Sequence, residues 1–176
     1  IILDSSEYNL YKIQQELSEK FNSNIIIVPI LGSVINKDTM ENLFAKHRPD
    51  IIYHAAAYKH VPLVQSNPIE GLKNNVFGTK IIADLCLKYE VKKFVLISSD
   101  KAVRPTNIMG ASKRLAELYL QSLNTYSNKT IFTMVRFGNV LGSSGSVIPK
   151  FHNQILAGVP LTLTHEKVTR FFMTAK

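Results

Sequence analysis

The sequence has 176 residues, 45% of them hydrophobic, so it can bury one core and is compatible with a single α/β domain. The 21 Lys+Arg outnumber the 13 Asp+Glu and give a formal net charge of +8, yet there is no run of like charges, no tryptophan and no aromatic-basic repeat. These features argue against a nucleic-acid-binding protein and favour a scattered solvated surface or an anionic small-molecule ligand.

Cysteine usage and the ends of the chain bear on where the protein works. The single cysteine, Cys86, cannot form an internal disulfide and fits a buried apolar position, which is consistent with a reducing, cytoplasmic compartment. No segment is long and apolar enough to span a bilayer, and there is no signal peptide. Because the sequence opens on Ile1 without an initiator methionine and closes on Lys176 directly after an apolar pattern, we expect both ends to be incomplete.

The first predicted strand, residues 1–3, ends at Asp4. In dinucleotide-binding folds an acidic residue at this position accepts hydrogen bonds from the adenosine ribose and repels a 2′-phosphate, so Asp4 favours NAD while leaving NADP open. The alternative is that Asp4 caps the helix predicted over residues 8–21. The glycine-rich turn that precedes such a strand is missing from the sequence.

Two further strands are predicted at residues 24–30 and 51–53, separated by a short helix that ends at residues 47–49. Three alanines follow the later strand, where small side chains let the backbone approach a flat ligand closely. His54 and His60 are six residues apart, which suits no usual helical metal pair, so we expect no metal site.

A long helical pattern begins at residues 67–68 and continues to Leu85. Asn74 and Asn75 interrupt its apolar face. Surface polarity is one interpretation of Asn75, and a buried structural role is the other.

The most informative stretch is an apolar strand at residues 94–97, followed by two serines, the charged pair Asp100 and Lys101, and a helix capped by residue 106 or 107. Met109 and Lys113 are four residues apart and project from the same side of this helix. We expect its apolar face to consist of Ile108, Ala111, Leu115 and Leu118, with Glu117 on another face. The order strand, polar loop, helix predicts chemistry at the carboxyl edge of a parallel sheet.

The last third of the chain is predicted to hold a strand at residues 131–135 and then a glycine- and serine-rich segment to residue 149. On pattern alone this segment is a flexible loop or an anion cradle, although it matches neither the Walker A nor the Rossmann motif. Residues 161–165 and 168–172 are expected to be strand pieces.

These residues resemble the Ser-Tyr-Lys active site of the extended short-chain dehydrogenase/reductases, with Met109 at the tyrosine position. Three sequence segments are similar to the UDP-N-acetylglucosamine 4,6-dehydratases in their larger, methionine-bearing, capsule and O-antigen form. These segments are SSDKAVRPTNIMGASKRLAE, AAAYKHVPLVQSNP and FGNVLGSSGSVIPKF. The resemblance covers nearly the whole chain. It implies a Rossmann-like doubly wound parallel sheet, incomplete at both ends, with an NAD-binding domain over residues 1–142 that lacks its first glycine-rich unit. Residues 143–176 begin a smaller substrate-binding region.

The resemblance also assigns site residues. Cofactor contacts fall on Asp4, Ser33, Val34, Ala55, Ala56, Ala57, Asn75 and Lys113, although the family usually has aspartate in place of Ser33. Substrate contacts fall on Lys59, His60, Asn139, Ser143, Ser146, Val147 and Arg170. Asn75 is expected to bridge the sheet to the active-site helix, and Lys113 is expected to bind the nicotinamide ribose. The family further implies a UDP-sugar partner, a homo-oligomer, and a location in the cytoplasm or at the cytoplasmic face of the inner membrane, with any membrane anchor outside this chain.

The chemistry implied is oxidation of the sugar at C4 by NAD, loss of the C6 hydroxyl, and return of the hydride to C6. Ser99 is expected to bond the C4 oxygen, Asp100 to protonate the leaving hydroxyl and Lys101 to remove the C5 proton, although the last two roles are interchangeable. A thioether has no ionisable proton, so Met109 cannot act as the base and a packing role is preferred. A non-catalytic NAD-binding regulatory homologue is the main alternative, and an epimerase of the superfamily is expected to retain the tyrosine.

Overall fold

Strands and helices alternate along the chain in the computed structural model, which describes residues 1–21, 24–143, 146–163 and 165–174. The strands are β1 Ile2–Asp4, β2 Pro29–Leu31, β3 Ile51–His54, β4 Lys93–Ile97, β5 Ile131–Val135, β6 Asn139–Val140 and β7 Phe172–Met173. The α-helices are α1 Glu7–Phe21, α2 Lys37–His47, α3 Val61–Ser66, α4 Pro68–Leu72, α5 Thr79–Lys88, α6 Ile108–Asn124 and α7 Val147–Leu156. The predicted α/β class is confirmed.

All strand pairs are parallel, and they form three groups: β1 with β2, β3 with β4 and β5, and β6 with β7. In the doubly wound order 3-2-1-4-5-6, the numbers are the ranks of the strands along the chain, written in their spatial order. Here β1 and β2 correspond to strands 2 and 3, and β3, β4 and β5 correspond to strands 4, 5 and 6. Among the described residues no strand corresponds to strand 1, which lies between strands 2 and 4 in that order. The β3–β4–β5 group is therefore one side of such a sheet, and it contains more paired strands than either of the other two groups.

The predicted strand over residues 24–30 is only partly correct, because β2 covers Pro29–Leu31. Its partner β1 is three residues long and pairs from Ile2 to Asp4. The Val28 carbonyl, directly ahead of β2, still accepts from the Ile2 amide at 3.0 Å, whereas Ile26 is 92% exposed. The apolar run predicted a longer strand than the three paired residues that the structure shows.

The prediction for residues 161–165 is wrong over the part that the structure describes, since residues 161–163 and 165 are not in a strand and residue 164 lies outside it. Instead of a neighbouring strand, the side chain of Gln154 supplies hydrogen-bond partners to Thr162. Its Oε1 accepts from the Thr162 amide at 3.2 Å, and its Nε2 donates to the Thr162 hydroxyl at 2.7 Å. The later strand is also shorter than expected, because β7 contains only Phe172 and Met173.

The core lies around the aromatic residues of the central strands. The rings of Phe94 on β4 and Phe132 on β5 are 5.6 Å apart, and both side chains are buried. Met40 and Phe44 of α2 and Leu120 of α6 belong to the same buried cluster. This packing fixes the carboxyl ends of β3, β4 and β5 relative to one another.

The predicted long helix is confirmed, but its middle is a π-helical segment, Lys73–Gly78, between α4 and α5. This is where the two asparagines interrupt the apolar pattern. Asn75 is 1% exposed, so the surface interpretation of Asn75 is wrong. Gly78 lets the segment approach the loop after β2, because a Cβ there would meet Val34 Cγ2 at 2.7 Å.

Helix α6 buries a different face from the one predicted. Asn107 is its N-cap, accepting from the Gly110 amide at 2.9 Å. Leu115 and Leu118 are 48% and 44% exposed, whereas the face that carries Met109, Ser112, Lys113, Ala116, Glu117 and Leu120 is buried. Charged residues are buried here because they find partners at the end of β4, which the apolar pattern could not reveal.

Candidate active site

A cleft of about 770 Å³ opens at the carboxyl ends of β3, β4 and β5, where a parallel α/β sheet binds its ligands. Fourteen of the predicted site residues line it: Ala55, Ala57, Lys59, His60, Ser99, Asp100, Lys101, Met109, Lys113, Asn139, Ser143, Ser146, Val147 and Arg170. They come from segments separated by more than a hundred residues in the sequence. The fold thus brings the five predicted catalytic residues and all seven predicted substrate contacts to one cleft.

Three predicted cofactor residues lie elsewhere, around β1 and β2. Asp4 Oδ1 accepts from the Ser6 amide at 2.7 Å, and the Ser6 hydroxyl accepts from the Asn9 amide at the start of α1. Ser6, and not Asp4, therefore bonds the first turn of α1, so the alternative in which Asp4 caps this helix is wrong. The cofactor role of Asp4 stays a prediction. Ser33 accepts from the Asn36 amide through its carbonyl, and the Val34 side chain is buried in the core, so only the backbone of Val34 can offer polar groups to a ligand.

The remaining two, Ala56 and Asn75, stand behind the cleft. Ala56 packs against the hydrophobic core. Asn75 accepts from the Tyr58 amide at 2.8 Å and donates to the Tyr58 carbonyl at 3.1 Å and to Ser112 Oγ at 2.9 Å. It therefore ties the loop after β3 to α6 and fixes the backbone beside Lys59. Sequence reasoning gave Asn75 a bridging role but missed Tyr58 and Ser112 as its partners.

Asp100 and Lys101 form an ion pair at the cleft wall, with Lys101 Nζ 2.9 Å from Asp100 Oδ1. Ser99 precedes them and donates its hydroxyl to the same Oδ1 at 3.0 Å. The Asp100 amide donates to the Phe137 carbonyl at 3.0 Å, which anchors this turn to the segment after β5. Burial works to raise the pKa of Asp100, but the hydrogen bonds from Lys101 and Ser99 outweigh it and leave the pKa below its ordinary value.

Lys113 reaches the cleft from α6 and is 7% exposed. Its ammonium group donates to the Ile97 carbonyl at 2.7 Å, at the last residue of β4. Burial lowers the pKa of Lys113 to about 8, against the opposing effect of the negative charge on Glu117. Lys113 is therefore a buried cation whose charge can change near neutral pH.

Met109 is 3% exposed and also contributes to the cleft wall. Its carbonyl accepts from the Ser112 hydroxyl at 2.7 Å, one turn further along α6. The side chain can fill space beside a ligand but can neither donate nor remove a proton. Any proton transfer in the cleft falls to its neighbours.

His54 ends β3 and lies behind Lys113, with its Nε2 3.0 Å from Thr79 Oγ1. The Thr79 hydroxyl donates to the Asn75 carbonyl, so it accepts from His54 and fixes the tautomer with hydrogen on Nε2. Burial, and then the charge of Lys113, lower the pKa of His54 to about 3. His54 is therefore a neutral, hydrogen-bonded group behind the cleft.

Another side of the cleft is lined by β6, the start of α7 and residues 168–171, directly ahead of β7. Asn139 donates both its amide and its side-chain Nδ2 to the Phe171 carbonyl, each at 3.1 Å, which places Arg170 at the cleft. Ser146 lies directly before α7, and its Oγ is buried without a hydrogen-bond partner among the described residues. Residues 144–145 of the predicted loop lie outside the described residues, and the segment expected to be a loop up to residue 149 instead enters α7 at Val147.

Two glycines allow the turn that contains Asp100 and Lys101 to pack closely, and sequence reasoning missed both. A Cβ on Gly110 would lie 2.3 Å from the Lys101 carbonyl oxygen. A Cβ on Gly138 would lie 3.0 Å from the Phe171 carbonyl oxygen and 3.5 Å from Asp100 Oδ2. The signal for the first was present in the sequence as a glycine inside the first turn of a helix, where it is otherwise unfavourable.

In the part of the chain that the structure describes, no cluster of three or more His, Cys, Asp or Glu side chains could hold a metal ion. Within the same residues, no helix combines the length and hydropathy needed to cross a bilayer.

Comparison with known proteins agrees with this architecture. Among solved structures, Pen from Bacillus thuringiensis superposes with a TM-score of 0.85 at 40% identity, covering 98% of this chain and 54% of that one. Capsular polysaccharide biosynthesis protein CapD of Staphylococcus aureus is 52% identical over 99% of this chain and 29% of its own length.

Two further relatives carry different activities in their names. A UDP-glucose 4-epimerase of Rickettsia canadensis is 38% identical over 99% of this chain and 52% of its own length. A UDP-N-acetylglucosamine 4,6-dehydratase (inverting) of Campylobacter jejuni is 39% identical over 92% of this chain and 48% of its own length. The chain thus spans about half the length of these relatives or less. The family model described as polysaccharide biosynthesis protein matches residues 1–176, and the chain belongs to that family.

Proposed function

We propose that the protein containing this chain is a nucleotide-sugar 4,6-dehydratase that converts UDP-N-acetylglucosamine to a UDP-4-keto-6-deoxy sugar for bacterial surface polysaccharide. The observation that carries the proposal is the Asp100–Lys101 ion pair in the cleft, next to Ser99 and Lys113. Dehydration needs an acid and a base in addition to a site for hydride transfer, and this pair offers both in one turn. We place the reaction in the cytoplasm or at the cytoplasmic membrane face, in a homo-oligomer.

NAD is the proposed cofactor, and it would supply a hydride acceptor that is regenerated at the end of each cycle. The residues present fit it: Ala55 and Ala57 leave room for a flat ligand at the end of β3, and the buried ammonium group of Lys113 lies at the end of β4. Asp4 ends β1, where a ribose hydroxyl pair binds in dinucleotide folds.

Each proton transfer of the proposed reaction has to be assigned to a residue other than tyrosine. Asp100 is ionised in the ion pair, so it can accept the C4 hydroxyl proton while the C4 hydride leaves. Asp100 then returns this proton to the departing C6 hydroxyl, which leaves as water. Lys101, after releasing its own proton to solvent, removes the C5 proton. Its ammonium hydrogens exchange with solvent, and it protonates C5 after the hydride has added to C6. The exchanged assignment, with Lys101 as acid and Asp100 as base, also follows from the ion pair.

The substrate diphosphate would lie between Arg170 and the start of α7. An anion is stabilised at a helix N-terminus, and Ser146 Oγ lies there without a partner among the described residues. Lys59 and His60 line the opposite side of the cleft and are exposed. This arrangement supports an anionic nucleotide-sugar as the substrate class.

An epimerase is the second candidate, because the Rickettsia canadensis relative at 38% identity carries that name. Epimerisation at C4 needs hydride transfer from and to the same carbon and leaves C5 and C6 untouched. An epimerase would therefore need a group that accepts the C4 hydroxyl proton, as Asp100 does above, but no acid at C6 and no base at C5.

The deciding experiment incubates the full-length protein with UDP-N-acetylglucosamine and catalytic NAD in heavy water and follows the product by NMR. The expected product is a 4-keto-6-deoxy sugar with deuterium at C5, and both Asp100→Asn and Lys101→Ala should lower kcat by at least ~100-fold. Lys129→Ala is the matched control, since Lys129 forms an exposed ion pair with Glu90. A C4 epimer without deuterium would indicate an epimerase, and NAD binding without turnover would indicate a regulatory homologue.

A further inference from the structure

Glu117 is an ionisable residue on α6 that has no part in the mechanism above and is fully buried, with 0% exposure. Its Oε1 accepts from Ser98 Oγ at 2.6 Å and from Arg136 Nε at 2.9 Å. Its Oε2 accepts from Arg136 Nη2 at 2.5 Å and from Arg114 Nη1 at 3.1 Å. A buried carboxylate is held ionised by such partners, and although burial works to raise the pKa of Glu117, these hydrogen bonds bring it to about 2.

The partners of Glu117 lie at the ends of the two strands that carry the catalytic turn. Ser98 follows the last residue of β4 and directly precedes Ser99 and Asp100. Arg136 follows the last residue of β5 and directly precedes Phe137, whose carbonyl accepts from the Asp100 amide. One carboxylate therefore joins α6 to both strand ends, on either side of the Asp100 backbone.

A second side chain of α6, Lys113, lies one turn before Glu117 and also bonds to the end of β4. Lys113 donates to the Ile97 carbonyl, and Glu117 accepts from the hydroxyl of the next residue, Ser98. The Ser98 amide in turn donates to the Val135 carbonyl of β5 at 2.8 Å. Both α6 and β5 therefore bond to residues 97–98. Because the turn that bears Ser99, Asp100 and Lys101 follows directly, these bonds constrain its position.

We propose that Glu117 is a positioning residue, which acts through Ser98 and Arg136 to hold the turn bearing Ser99, Asp100 and Lys101 in its catalytic position. The turn packs against Gly110 of α6, and the Asp100 amide bonds to Phe137. Its own side-chain bonds, the half-buried Asp100–Lys101 ion pair and the bond from Ser99, are short-range and do not reach α6. Misplacement of a reacting group by about 1 Å can cost up to ~100-fold in rate. Only the turnover part of the test below rests on the proposed dehydratase function.

The test uses the full-length protein and variants that separate positioning from bulk stability. Ser98→Ala removes only the bond between Glu117 and the β4 end, and Glu117→Gln removes the charge at constant size. Ser98→Thr keeps the hydroxyl and is the conservative rescue. Arg114→Ala removes a partner of Glu117 that lies on α6 itself and does not touch either strand end.

Amide hydrogen exchange and steady-state kinetics are the two readouts. In Ser98→Ala and Glu117→Gln the amides of Ser98 and Asp100 should exchange at least ~10-fold faster while those of β3 stay unchanged, because the opening is local. In the same variants kcat should fall ~10-fold with KM within ~2-fold, since the loss is confined to the reacting groups. Ser98→Thr and Arg114→Ala should resemble the wild type in both.

Unchanged exchange at Asp100 in Ser98→Ala would overturn the proposal, and so would an equal rise at β3, which indicates general destabilisation. A rise in KM at constant kcat would overturn it as well, because that result places Ser98 in substrate binding. A wild type without turnover contradicts the dehydratase assignment, and the exchange of Ser98 and Asp100 then decides the positioning role by itself.

Discussion

Lys113 carries a positive charge into a wall of the cleft that is almost closed to water. Its pKa falls from 10.5 to about 8 because burial disfavours the charged form. The unfolded state therefore binds more protons than the folded state between these two values, so this residue makes stability rise with pH across that window. Below pH 8 the full penalty applies, on the order of 3 kcal/mol at ~1.4 kcal/mol per pKa unit.

We predict that Lys113→Met raises the free energy of unfolding at pH 7 by ~1–3 kcal/mol and abolishes cofactor-dependent turnover. The stability gap between variant and wild type should narrow between pH 8 and 10.5, as the wild-type lysine becomes neutral. Urea unfolding at several pH values measures the gap. A gap that stays constant with pH would show that the charge of Lys113 carries no burial penalty.

The π-helical segment in the middle of the long helix positions the side chain of Asn75 for its hydrogen bonds. The π-helical segment Lys73–Gly78 contains Asn75. The side-chain amide of Asn75 bonds to the Tyr58 backbone and to Ser112, and its backbone carbonyl accepts from the Thr79 hydroxyl. Such segments are uncommon and are often found at functional sites. Asn74 is the immediate neighbour in the same segment but is only partly buried.

We predict that Asn75→Ala lowers the free energy of unfolding by ~2–4 kcal/mol, because the partly buried Tyr58 amide and carbonyl lose their side-chain partner and Ser112 Oγ keeps only its bond to the Met109 carbonyl. Asn74→Ala is the control and should cost less than ~1 kcal/mol. Chemical denaturation of both variants gives the comparison. Equal losses would mean that the helix backbone, and not the side chain of Asn75, determines the local structure.

The buried face of α6 is a second feature at the scale of the element. Leu120 is 0% exposed and belongs to the core, whereas Leu115 is 48% exposed. We predict that Leu120→Ala costs ~2–5 kcal/mol of unfolding free energy and Leu115→Ala less than ~1 kcal/mol. Thermal or urea unfolding of the pair is the measurement. A larger loss for Leu115→Ala would support the face originally expected from the apolar pattern.

For the molecule as a whole, a dinucleotide would touch parts that share no strand pairing. Asp4 ends β1 in one parallel pair, while Ala55 and Lys113 lie at the ends of the β3–β4–β5 group. A ligand that binds only the folded state stabilises it by ~2.7 kcal/mol at a hundred times its Kd. Binding would therefore join the two groups.

We predict that NAD raises the melting temperature of the full-length protein more than NADP does at equal concentration, because the Asp4 carboxylate repels a 2′-phosphate. Asp4→Asn keeps an acceptor for the Ser6 amide and removes the charge, so it should narrow the difference between the cofactors. Differential scanning fluorimetry measures both shifts. A preference for NADP in the wild type would contradict the role predicted for Asp4.

Several parts of the fold and site could be predicted from local pattern alone. The apolar run of β4, the serines and charges after it, and the helix that places Met109 and Lys113 on one side are contiguous in sequence, and the structure contains them as expected. The carboxyl-edge rule then placed Ser99 and Asp100 at the cleft. Local periodicity works here because strand and helix geometry fix where neighbouring side chains point.

The tertiary structure decided what depends on partners distant in the chain. The burial of Glu117 depends on Arg136 at the end of β5, and that of Asn75 on the Tyr58 backbone. The local pattern therefore placed Glu117 away from the apolar face and left the burial of Asn75 open. β2 covers only the three residues that pair with β1. The free energy of burying a polar group depends on whether a distant group satisfies its hydrogen bonds, and sequence spacing carries no record of that.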